Sequence, residues 1–202
     1  MSRSDDWEER YRAGHTPWNT GRPDFNLTKM VTERPIPECK ALEIGCGTGD
    51  NAMWLARSNF SVTATDISEM AIQQAKDKAT AEGVECSFLV MDFMIKDIPG
   101  APFQFVFDRG CFHSYRTGEE RRSFAERVAQ HLDTNGLWLS LIGSADGPAQ
   151  EMGPPRLTAR DVVGTVEPFL EVIFLASGHF DADRAEPPRA WVCLAQKRDK
   201  QA

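Results

Sequence analysis

Three glycines spaced two apart, an aspartate at position 66 and another at 92 are the residues whose types and spacing most directly suggest a ligand. In the run Lys40-Ala41-Leu42-Glu43-Ile44-Gly45-Cys46-Gly47-Thr48-Gly49-Asp50-Asn51, glycine allows positive φ and leaves no Cβ between backbone and ligand. A dinucleotide fingerprint needs its third glycine three positions after the second; here Asp50 stands there and the glycine is at 49. A phosphate-binding P-loop is excluded, because no Gly-Lys-Ser or Gly-Lys-Thr follows. Asp66 lies close to the distance from Gly45 at which dinucleotide folds set a carboxylate against a ribose, and a carboxylate accepts from two vicinal hydroxyls at once. Two plainer readings stand beside these: a glycine turn without a ligand, and Asp66 as a helix N-cap, a role that Ser68 fits better.

The elements that must position these residues follow from periodicity and turn chemistry. Lys40 to Ile44 reads as a short buried strand and Asn51 to Ser58 as an amphipathic helix, so the glycines fall at a strand-to-helix junction. In a doubly wound sheet, ligands bind beyond the carboxyl end of the strands, where this junction lies. Further strands are expected over 61–65, 85–90, 103–108, 137–142, 170–176 and 190–196. Helices are expected over 69–81, over 119–132 and from a capping-box variant at Thr158-Ala159-Arg160-Asp161 to about Val166, with weaker periodicity over 27–32 before Pro35 and Pro37. Gly143 to Pro155 reads as a loop and the last few residues as frayed.

With 202 residues the chain fits one domain with a core of its own, residues 1–202, and shows no repeat or low-complexity segment. A formal net charge of -7 gives no broad positive field, which argues against nucleic acid as a partner. The charged start is unlike a signal peptide, and no apolar run is long enough for a bilayer. Five cysteines without paired spacing suggest reduced thiols in the cytoplasm, and no metal-ligand spacing is present.

The run Glu43-x-Gly45-x-Gly47-x-Gly49 resembles the first motif of the class I S-adenosylmethionine-dependent methyltransferases. The segment from Trp7 through Tyr11 to Thr16-Pro17-Trp18-Asn19-Thr20-Gly21-Arg22 is similar to the N-terminal segment of their thiopurine and plant halide/thiol branch, whose halide/thiol members carry tryptophan where this chain has Tyr11. Asp108-Arg109-Gly110 is closer to the thiopurine and related bacterial members. The resemblance spans nearly the whole chain. It implies an α/β fold, a doubly wound Rossmann-like seven-stranded sheet, mostly parallel with one antiparallel strand. It implies S-adenosylmethionine as cofactor, held by Trp7, Tyr11, Trp18, Gly45, Cys46, Gly47, Asp50, Asn51, Asp66, Ile67, Asp92, Phe93 and Arg109. Residues 1–30 would then cover the cofactor, whose sulfonium is a cation of the kind aromatic faces attract; packing as an N-terminal brace is the alternative. An exposed turn residue is the alternative for Asp92.

Cys111, His113 and Tyr115 follow the fourth strand and are the candidates for the acceptor pocket, each with a packing role as its alternative. The expected reaction is methyl transfer to a small molecule, with a thiol sulfur as the leading acceptor and tellurite or selenite, halide or thiopurine-like compounds as others. Alignment does most of the work in such a displacement, and His113 or Tyr115 could take a proton from an acceptor that arrives protonated. Two rivals share the topology: a nicotinamide-dependent oxidoreductase, against which the glycine spacing argues, and a cofactor-binding regulator without catalysis.

Overall fold

The computed structural model describes residues 3–34, 36–147 and 153–198, so Pro35, part of the expected loop 143–155 and the expected frayed end lie outside the described residues. The chain divides into two compact units, Met1–Gly100 and Ala101–Ala202. The seven strands of its mixed α/β sheet are shared between them.

The first unit contains α1 (Arg3–Arg12), α2 (Phe25–Glu33), β1 (Lys40–Ile44), α3 (Asp50–Arg57), β2 (Ser61–Asp66), α4 (Glu69–Glu82) and β3 (Ser87–Val90). Its strands run in the order β3-β2-β1 and are all parallel. β1 is buried over four successive residues, the pattern of a strand covered on both faces. Ser68 is the N-cap of α4, accepting from the amide of Ala71, and Gly83 closes that helix in the left-handed region. The helix α1 has no counterpart in the periodicity: only Tyr11 of it is buried, so its apolar pattern is too sparse to read.

The second unit contains β4 (Phe103–Arg109), a 3-10 turn (Phe112–Ser114), α5 (Gly118–His131), β5 (Leu132–Gly143), α6 (Ala159–Val166), β6 (Leu170–His179) and β7 (Arg189–Lys197). Here the order is β4-β5-β7-β6: β4 and β5 are parallel, and β7 is antiparallel to both its neighbours. The single reversed strand expected from the resemblance is therefore β7. The expected turn at Asn135-Gly136 lies inside β5, where Asn135 takes positive φ opposite a register shift between Phe103 and Phe105. Capping boxes at Thr117/Glu120 and Thr158/Asp161 start α5 and α6. Phe112, Phe124 and Trp138 pack edge to face and tilted in the core of this unit, with ring centroids 5.4–6.0 Å apart. Among the described residues no helix is long and apolar enough to cross a membrane.

The glycines of the loop after β1 serve different ends. At Gly49 a Cβ would lie 2.8 Å from the Phe88 ring and 3.0 Å from the Ala75 methyl, so this glycine exists for packing of α3 against the rest of its unit. Gly83 also has positive φ but open space around it. Gly49→Ala should cost about 2–5 kcal/mol, left-handed strain plus overpacking, and Gly83→Ala only about 1–2 kcal/mol from strain alone. Denaturant melts of the two variants measure the difference.

Candidate functional site

Loop 45–49 is stitched to the end of β2. The amides of Gly45 and Cys46 both donate to the Thr65 carbonyl, at 2.8 and 2.9 Å. The amide of Gly47 donates to Asp66 Oδ2 at 2.9 Å, and the amide of Ser68 donates to Oδ1 at 2.9 Å. Asp66 is thus fixed at the carboxyl end of β2 as the sequence suggests, not as the cap of α4. Each oxygen retains a lone pair for a further donor. Burial pushes its carboxyl up despite those amide bonds.

Beside it, Glu43 is buried at the end of β1. Asn51 Nδ2 donates to Glu43 Oε1 at 3.0 Å, while Oε2 meets no hydrogen-bond donor among the described residues. Burial, with the nearby charges of Asp50 and Asp66 adding to it, pushes the Glu43 carboxyl up to about 8; the Asn51 side chain and the Ala52 backbone amide offset this only in part. Cys46, buried next to both acids, has its thiol pushed well up for the same reasons.

The N-terminal segment is tied to this loop by side chains. A Cβ on Gly47 would lie 2.8 Å from the Tyr11 hydroxyl, which accepts from Trp18 Nε1 at 3.2 Å. Burial and the charge of Asp66 hold the Tyr11 phenol far above its ordinary range. Trp7 and Trp18 meet edge to face at 5.3 Å, and the Arg10 guanidinium lies 5.4 and 5.9 Å from their ring centres. One face of each indole is therefore met by a cation of the chain itself, and Tyr11 is the aromatic that reaches Gly47. Glu8 accepts from Ser68 Oγ at 2.6 Å and from the Met70 amide, which pins α1 to the start of α4. Ser4 Oγ donates to the carbonyl of Ile67, whose side chain is half-buried.

Other expected residues are engaged in the scaffold. Asp50 is paired with Lys78 at 2.8 Å and accepts from Thr48, whose hydroxyl also meets Asn19 at 3.2 Å. Asn51 bridges Glu43 to the backbone amide of Asp24, the N-cap of α2. Asp92 is half-buried and accepts from the Met94 amide at 2.8 Å, and Phe93 is buried. An open concavity at the amino ends of β2 and β3, lined by Phe60, Val62, Lys76, Thr80 and Cys86, contains none of the expected site residues.

In the second unit Asp108 organises the segment after β4. Its Oδ1 accepts from the amides of Cys111 and Phe112 at 3.0 and 2.9 Å, and its Oδ2 from Trp138 Nε1 at 3.0 Å. Burial pushes this carboxyl up to about 6. His113 is buried and its Nδ1 accepts from the Gly143 amide at 3.0 Å. Tyr115 is buried against Phe124 at 5.4 Å, in core surroundings; Cys111 is half-buried. Arg109 donates to the Asp181 carbonyl and lies 5.3 Å from the Phe180 ring centre.

The residues of the first unit fit a ligand that donates hydrogen bonds and carries positive charge. Asp66, a buried acid with free lone pairs that already takes the Gly47 amide, disfavours a phosphate, and Glu43 beside it keeps one buried oxygen without a donor among the described residues. S-adenosylmethionine brings an ammonium, a sulfonium and a ribose diol, and no phosphate. Glu43, Glu8, Asn19 and Lys78 were missed as participants: Glu43 and Asn19 stand within the quoted motifs, while Glu8 and Lys78 show no local signal.

Residues 41–136 match the methyltransferase domain family. The chain is 30% identical over 151 residues to probable thiol methyltransferase 2 of Arabidopsis thaliana, an alignment covering 74% of this chain and 65% of that protein. It is 29% identical over 158 residues to thiocyanate methyltransferase 1 of Brassica oleracea, covering 76% and 67%. The chain thus spans about two thirds of the length of these relatives. A solved structure concerning the conversion of a disulfide bond into a thioacetal group during echinomycin biosynthesis superposes with a TM-score of 0.86 at 21% identity, covering 100% of this chain and 94% of that one.

Because the Glu43 carboxyl binds its proton more tightly in the folded than in the unfolded chain, its contribution to stability is present at low pH. That contribution is lost as pH rises from about 4.3 through about 8. Glu43→Gln should remove that loss, so melting temperature should fall less between pH 5 and 8 in the variant. Differential scanning calorimetry across that range, without ligand, measures the two slopes.

Proposed function

The chain belongs to the class I S-adenosylmethionine-dependent methyltransferases, and from that premise we propose that it methylates a small-molecule acceptor at a thiol sulfur. The observation that carries the acceptor is the similarity to a probable thiol methyltransferase and a thiocyanate methyltransferase over about three quarters of the chain. Both names concern a soft sulfur nucleophile. The feature that supports the donor is the acid-lined glycine loop.

In this reading Asp66 accepts from the ribose hydroxyls, Gly45, Cys46 and Gly47 line the amino-acid end, and Ile67, Asp92 and Phe93 border the nucleoside. Asp50 and Asn51 keep the loop in shape through Lys78, Glu43 and Asp24. Residues 1–30 form the cover, with Tyr11 as its contact and Trp7, Arg10 and Trp18 as the packed group behind it. Arg109 stays with the cofactor, Cys111 and His113 serve the acceptor end, and Tyr115 packs into the core behind them; residues 1–202 act as one domain, a reading that the family match, running from the first unit into the second, supports. When bound, S-adenosylmethionine supplies a methyl carbon made electrophilic by its sulfonium. The chain's own task is to align the acceptor and keep water away.

Incubation with S-adenosylmethionine and a panel of thiols should give methyl sulfides, read by gas chromatography of the headspace. Product from halides or chalcogen oxyanions with none from any thiol would overturn the acceptor. Asp66→Ala should weaken binding of S-adenosylhomocysteine about 10–100-fold by calorimetry, the loss of charge-assisted hydrogen bonds; unchanged affinity would remove Asp66 from the site.

A further inference from the structure

His113 sits in a slot between two strand ends. A Cβ on Gly110, just after β4, would lie 3.3 Å from its Cε1, and a Cβ on Gly143, the last residue of β5, would lie 3.3 Å from its Nε2. Phe180 closes a third side, with ring centres 5.9 Å apart. Strand carboxyl ends are where folds of this kind bind their ligands. The slot admits the ring in one setting, and a single bond decides its chemistry: the Gly143 amide can only donate, so Nδ1 is a bare acceptor.

A neutral imidazole has one proton, and it must then be on Nε2. Burial and the nearby cations hold the ring neutral, with its pKa lowered to about 4. The charges that act on it are Arg109 from β4 and Arg121 from α5. The neighbouring carboxylate of Asp108 is engaged with the amides of Cys111 and Phe112 and the indole of Trp138. Nε2 has no hydrogen-bond partner among the described residues, yet is not one of the buried atoms left unpaired. It is the ring's unpaired edge, presenting an N–H within the field of Arg109 and Arg121.

Resting on the thiol reading above, we propose that His113 is a fixed hydrogen-bond donor rather than a base, and that the acceptor is bound as its anion at Nε2–H. The expectation that His113 could take a proton is corrected by this geometry: Nε2 is already protonated, and protonating Nδ1 would break the bond to Gly143. The thiol loses its proton to solvent before transfer. The thiolate lone pair then forms the bond to the methyl carbon as the donor's carbon–sulfur bond breaks onto its sulfur, and no proton moves. A field from two guanidinium groups favours an anion over a neutral thiol there.

The test has a readout independent of turnover. Nitrogen NMR of the full chain with labelled histidine, assigned with His113→Gln, should show one protonated and one unprotonated ring nitrogen for His113, unchanged between pH 5 and 9. Titrated iodide, a soft monoanion, should shift that Nε2–H signal saturably. A ring that titrates in this range, a proton on Nδ1, or no response to iodide would overturn the proposal. Kinetics form a second arm: kcat/KM should rise with each thiol's own ionisation, and His113→Gln, which has an amide donor and acceptor but no basicity, should lose less than about 10-fold. A general base would instead give a limb common to all thiols and a loss of about 100-fold or more. If no thiol is methylated, the acceptor reading fails while the NMR result still judges the role of His113.

Discussion

The constraint on which the first unit depends is the burial of two carboxylates, Glu43 and Asp66, at the carboxyl ends of neighbouring strands. Desolvation disfavours their charged forms, and the chain supplies amides rather than cations in return: Gly47 and Ser68 to Asp66, Asn51 to Glu43. Such a site is costly to keep anionic without a partner. A ligand with a positive charge and hydroxyl donors relieves that cost, and a phosphate increases it. A glycine turn of the kind that elsewhere cradles phosphates is here surrounded by acids.

Around this pair the chain builds a frame. Asn51 links the acid of β1 to the start of α2, Lys78 of α4 holds Asp50, and Glu8 of α1 joins Ser68 at the head of α4. These bonds bring the N-terminal segment onto the loop and leave Tyr11 over Gly47. The aromatics behind Tyr11 pack on Arg10 and act as its support. Removing a cap, an acid or the tyrosine would therefore disturb the same structure through different contacts.

The second unit has its own organiser. Asp108, buried at the end of β4, gathers two backbone amides and an indole, and so sets the turn in which Cys111 and His113 lie. Backbone then acts on side chain: the Gly143 amide fixes the tautomer of His113, and two glycines leave room for its ring. Tyr115, although only two residues away, turns into the aromatic core. Adjacent candidates thus part according to which face of a short turn each occupies.

Much of this was legible in the residues. The strand-turn-helix around 40–58, the cap at Ser68, the box at Thr158 and the acid at the end of β2 are local: they follow from periodicity, side-chain capping and the φ that glycine permits. What the tertiary structure decided are contacts between residues distant in the chain. α1 was illegible because its stability comes from Glu8 and Tyr11 meeting partners beyond its own sequence. Asp50 and Asn51 look like ligand contacts in the motif, and only the structure joins them to Lys78, Glu43 and Asp24. His113 reads as a base by residue type alone, whereas an amide 30 positions away occupies its Nδ1. Local chemistry fixes which conformations a segment can take, and only packing fixes which proton, charge or lone pair is left over for function.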